Sequence, residues 1–79
     1  MTKINHQQAK REVTIFYIQQ GLGSLLEACE KAELNYMPVY NQLNGRTELK
    51  LYSIKELVEK INEKFTAVEV EGKLIITRR

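Results

Sequence analysis

The chain has 79 residues, 43% apolar and 28% charged, with 12 basic and 10 acidic side chains for a net charge of +2. That composition excludes a disordered chain and leaves room for one folded domain, residues 1–79, with a modest core. So small a charge excess also excludes a non-specific coater of nucleic acid, and any DNA binding must depend on where the charges sit.

Asn5 to Gln20 is predicted as a first helix. Ala9, Val13, Phe16 and Gln20 recur at helical spacing, and Tyr17 joins the Val13 face. Val13–Ile18 also has strand propensity, but the polar run Gln7–Glu12 leading into it carries no turn signal, which favours helix. Gly21-Leu22-Gly23 ends the element, since glycine accepts the left-handed geometry of a helix C-terminus. Ser24 then reads as an N-cap, with Glu27 completing a capping box. Leu25, Ala28, Cys29 and Ala32 mark the apolar side of the helix that follows. Asn35 is the next candidate N-cap. Pro38 falls at the third helical position, where its missing N–H breaks no intrahelical bond. Val39 and Leu43 point inward one turn apart, and Asn44-Gly45 closes this helix.

Thr47–Tyr52 alternates polar and apolar residues and reads as either a short strand or an extended connector. Residues 53–65 are predicted as the C-terminal helix, capped by Ser53 and Glu56. Ile54, Leu57, Val58, Ile61 and Phe65 form its apolar stripe. Residues 67–77 read as a hairpin: strands 67–70 and 74–77, joined at Glu71-Gly72. The expected fold class is therefore mostly α with a small C-terminal β-hairpin.

Cys29 is the only cysteine, so no internal disulfide forms. It is expected to be a small core thiol, and with His6 alone it cannot complete a zinc site. No cofactor or metal is expected. The polar start MTKINHQQ has no apolar signal core, and the run at residues 15–18 is too short to span a bilayer. A reducing cytoplasm is the expected setting. No nucleophile–base pair or glycine-rich phosphate loop is present, so no enzymatic activity is expected. His6 reads as solvated surface. Lys3, Lys10 and Arg11 form either a basic arm or an ordinary solvated helix face.

Residues 24–45, SLLEACEKAELNYMPVYNQLNG, hold two short capped helices joined by a tight turn. This segment resembles the helix-turn-helix of small phage repressors of the Cro/CI type. Ala32 matches the small residue before the turn, Leu34 the buried turn residue and Asn35 the cap of the recognition helix. Val39 and Leu43 match that helix's inward face, and Leu43-Asn44-Gly45 its end. The chain departs from the pattern at Glu33, where a turn glycine is frequent. It departs also at Leu25, in place of a polar first-turn residue, and at Pro38 inside the recognition helix. The C-terminal hairpin is similar to the wing of winged-helix domains.

The resemblance implies a small sequence-specific transcriptional regulator, a repressor of phage or mobile-element type. It would bind double-stranded DNA as a homodimer through the major groove. Tyr36, Met37, Tyr40, Asn41 and Asn44 are the outward positions that would contact bases: Asn reads adenine, while Tyr and Met touch thymine methyls. Ser24, Arg46, Lys50, Lys73, Arg78 and Arg79 would contact the DNA backbone. The alternative is a protein-interaction module, a small inhibitor or adaptor on a helix-turn-helix scaffold, whose Tyr/Met patch meets another protein. Glu27, Glu30 and Glu33 near the motif favour that alternative, because they repel phosphate.

Overall fold

The computed structural model describes residues 3–79; residues 1 and 2 of the expected domain lie outside this range. Four helices, α1 His6–Gln19, α2 Leu25–Ala32, α3 Tyr36–Leu43 and α4 Leu51–Ile61, precede strands β1 Phe65–Val70 and β2 Lys73–Arg78. The architecture is the expected one, mostly helical with a C-terminal antiparallel hairpin. Among the described residues no helix is long and apolar enough to cross a membrane.

Helix α1 forms because helical periodicity, not strand alternation, buries its large apolar residues. Ala9, Val13 and Phe16 share the buried face. Alternation would instead have placed Ile15 with Val13 and Tyr17, yet Ile15 is 47% exposed. Asn5 caps the helix, its Oδ1 accepting the Gln8 N–H at 3.0 Å. The end is a Schellman turn around Gly21 (φ 83°): Leu22 N–H donates to the Tyr17 carbonyl and Gly21 N–H to that of Ile18, both at 2.9 Å.

Helix α2 starts at Ser24 as predicted, with Ser24 Oγ accepting the Glu27 N–H at 3.2 Å. The return bond differs from a standard box: Glu27 Oε2 accepts from Gly23 N–H, at 2.7 Å, rather than from Ser24. Ala28, Cys29 and Ala32 are buried, and these small side chains let α2 lie close to α3 and α4. Glu33 ends the helix in the left-handed region, φ 58° and ψ 41°. Leu34 N–H reaches back to the Cys29 carbonyl at 2.9 Å. The turn thus has the backbone geometry that glycine usually supplies, held here by a glutamate at a cost of about 1–2 kcal/mol.

Helix α3 buries Val39 and Leu43. Asn35 occupies the N-cap position but its side chain makes no capping bond. After Asn44 the chain turns at Gly45, φ 76°, where a Cβ would stand 2.7 Å from His6 Cε1 and Nε2. Glycine suits this position for its positive φ, and any Cβ here would force the His6 ring to shift.

Two predicted boundaries are corrected at α4. The helix begins at Leu51, not after a Ser53 cap; of the expected strand or connector over residues 47–52, the last two are helical, residue 47 lies in a bend and Lys50 is extended. The Ser53–Glu56 capping box does not form. Instead Gln42 of α3 serves the helix start from outside. Its Oε1 accepts the Lys50 N–H at 3.0 Å and its Nε2 donates to Ser53 Oγ at 3.3 Å. The helix ends at Ile61 rather than at residue 65, because Asn62 turns extended (φ −152°) and its Oδ1 accepts the Lys64 N–H at 3.0 Å. Phe65 passes into β1, where its ring meets Phe16 edge-on at 5.4 Å. Ile54, Leu57, Val58 and Ile61 form the buried stripe as expected.

The hairpin runs longer than its predicted strands, from Phe65↔Arg78 to Val70↔Lys73. Glu71 and Gly72 both have positive φ, 51° and 81°, the type I′ geometry that suits strand twist. Ala67 and Leu74 face the core; Val68, Val70 and Ile75 on the other face are exposed. Helix α1 lies along β2. Gln8 acts as a surrogate strand there: its Nε2 donates to the Leu74 carbonyl at 2.8 Å and its Oε1 accepts the Leu74 N–H at 2.7 Å. Asn5 N–H also donates to the Gly72 carbonyl, at 2.8 Å.

Candidate nucleic-acid interface

The outward side of α3 carries no charge, its sequence being YMPVYNQL. Met37 is 54% exposed. Tyr36, Tyr40, Asn41 and Asn44 are half-buried, and Tyr36 packs partly against the core. Helical spacing brings the Tyr36 and Tyr40 rings together at 5.4 Å. Arg46 continues the row, its guanidinium 5.6 Å from the centre of the Tyr40 ring, a cation–π distance. Tyrosine faces and one arginine thus form a row along one flank of the helix.

The two asparagines differ. Asn41 has no side-chain hydrogen bond to the described residues, so both ends of its amide remain available. Asn44 is committed within the protein: its Nδ2 donates to the Tyr40 carbonyl at 2.8 Å and its Oδ1 accepts from Lys10 Nζ at 2.7 Å. Its geometry ties α3 to α1, and direct base reading would have to compete with both bonds.

The six expected backbone contacts do not form one group. Arg46 and Lys50 are exposed on the connector after α3, and Lys50 Nζ lies 6.0 Å from the ring centre of Tyr52, which is 67% exposed. Ser24 is half-buried and its hydroxyl is engaged as a cap, while the Glu27 carboxylate takes the neighbouring Gly23 amide. A phosphate at that helix start would meet a carboxylate, and the exposed Glu30 and Glu33 add to the repulsion. Lys73 lies at the hairpin turn, beside the anchored start of α1. Arg78 and Arg79 lie at the far end of β2, about 16 Å away at strand rise. Arg78 sits 5.7 Å from the Phe65 ring centre, and Arg79 Nη1 donates to the Glu63 carbonyl at 3.3 Å.

Three residues gain significance only in the folded chain. His6, expected as solvated surface, is half-buried with its ring against Gly45. Lys10 holds Asn44, and Tyr52 stands beside Lys50. Lys50 and Tyr52 are near neighbours in sequence, whereas His6 and Lys10 of α1 find their partners just after α3. Cys29 is buried, and burial pushes its thiol pKa up, which keeps it protonated and unreactive.

Compared with known protein families, characterised proteins and solved structures, the chain matches none.

Proposed function

We propose that this chain is a small reader of duplex DNA, acting in the cytoplasm as a repressor by occupying its site. The observation that carries the reading is the outer side of α3: Tyr36, Met37, Tyr40 and the unengaged amide of Asn41, uncharged and flanked by Arg46 and Lys50. Placed in a major groove, Asn41 would pair with adenine, Tyr and Met would touch thymine methyls, and the flanking cations would hold phosphates. One helix of this length supplies limited affinity, so the functional unit is a homodimer on two half-sites.

A second reading is favoured by a different observation. Met37 is strongly exposed, and Glu27 and Glu30 of α2 with Glu33 just after it are exposed acids that outnumber the one exposed base there, Lys31. Those features suit a protein partner that meets the Tyr/Met patch. Charge reversal separates the two. Arg46→Glu combined with Lys50→Glu is expected to weaken duplex binding at least tenfold and to flatten its salt dependence, since each lost phosphate contact removes about 0.9 from the slope of log K against log salt. Unchanged duplex affinity in this double variant, measured by fluorescence anisotropy, would exclude α3 and its flank as the DNA-binding surface.

A further inference from the structure

A cleft of about 350 Å3 opens between the N-terminal arm and the connector that follows α3. Its walls are Lys3, Ile4 and His6 on one side and residues 45–49 on the other. Lys3 and Arg46, the two basic residues of the lining, share it with His6 and Thr47. Glu48 is the one acid among the lining residues.

The arm is held in place rather than trailing from the fold. Ile4 packs against the core, Asn5 N–H donates to Gly72, and the Asn5 side chain caps α1. His6 then rests on Gly45, so closely that a Cβ there would displace the ring. These contacts fix the two backbone walls relative to each other, so a ligand between them meets a preformed cleft. Arg46 belongs both to this cleft and to the Tyr36–Tyr40 row. A ligand in the cleft is therefore adjacent to the outer side of α3. The start of α2, by contrast, is occupied by the Glu27 carboxylate.

We infer that this cleft binds a backbone phosphate of the duplex, so that DNA is gripped from the α1–connector flank and not from the start of α2. The inference rests on the duplex-reading assignment of α3. It deepens that assignment by naming the anchoring contact, in which Lys3 and Arg46 neutralise the phosphate and Thr47 donates to one of its oxygens.

Lys3→Ala tests it, because Lys3 is exposed and its loss leaves the core intact. Duplex affinity is measured from about 50 to about 200 mM salt, where one lost phosphate contact makes the fall in affinity about threefold smaller. The expected result is that flattening for Lys3→Ala, with an unchanged slope for Arg11→Ala on the outer side of α1. In the wild-type chain, the amide resonances of His6, Gly45, Arg46 and Thr47 are expected to shift when duplex is added. Steep, salt-sensitive duplex binding with an unaltered Lys3→Ala slope and unmoved cleft resonances would overturn the cleft assignment while leaving α3 as the reader. Absence of any duplex binding by the wild-type chain would overturn both.

Discussion

Leu57→Ala is expected to lower the free energy of unfolding by about 2–5 kcal/mol. Leu57 is fully buried at the centre of the α4 stripe, with Ile54 and Val58, where α4 packs against α2 and β1. Removing its isobutyl group loses the transfer energy and leaves a cavity that the two elements packed against α4 cannot fully collapse to fill. A chain of 79 residues has a total stability of only about 4–12 kcal/mol on the usual per-residue scale. The change therefore removes a large fraction of it, and the thermal midpoint should fall by roughly 10 °C or more. Tyr52→Ala, one and a half turns earlier on the same helix and 67% exposed, should change stability by about 0.5 kcal/mol or less. Thermal denaturation followed by circular dichroism compares the two. Equal midpoints would mean that α4 does not form the centre of the core.

Gln8→Ala is expected to cost about 2 kcal/mol although the residue is polar and only half-buried. Its amide satisfies both main-chain groups of Leu74, a residue with no exposed surface. A buried donor or acceptor left without a partner costs about 1–3 kcal/mol, and water at the open edge of β2 offsets part of that. Gln8→Glu should fail to restore the loss. A carboxylate still accepts from the Leu74 N–H, but it sets negative charge against the Leu74 carbonyl. Urea denaturation gives the stability, and hydrogen exchange at the Leu74 amide localises the effect. Full protection of that amide in Gln8→Ala would show that Gln8 is not its partner.

What could be read from the residues divides by the range of the interaction. Gly21, Ser24, Gly45 and Glu71-Gly72 mark ends and turns because their effect is local: a positive φ or a bond three residues away. The stripes of α1 and α4 follow from spacing alone. The start of α4 was misplaced because its amide is satisfied by Gln42, eight residues upstream, while Ser53 and Glu56 offered a plausible local cap. Its end was misplaced because Phe65 continues the apolar spacing while Asn62 breaks the helix. Gln8 gave no signal, since its partner lies 66 residues away.

The candidate site follows the same division. Helical spacing put Tyr36, Met37, Tyr40, Asn41 and Asn44 on the outer side of α3. It carried no information that Lys10 of α1 would engage Asn44, or that Glu27 would occupy the start of α2. Nor did it bring Lys3 and His6 to Gly45 and Arg46, which the packing of α1 against α3 achieves.

The role proposed for α3 is to read duplex sequence. Selection from a pool of random-sequence duplexes by the full chain, at low and at near-physiological salt, tests it most directly. A sequence reader of this kind should enrich a motif with two related half-sites, with affinity that falls steeply as salt rises. Failure to enrich any sequence at either salt would contradict it.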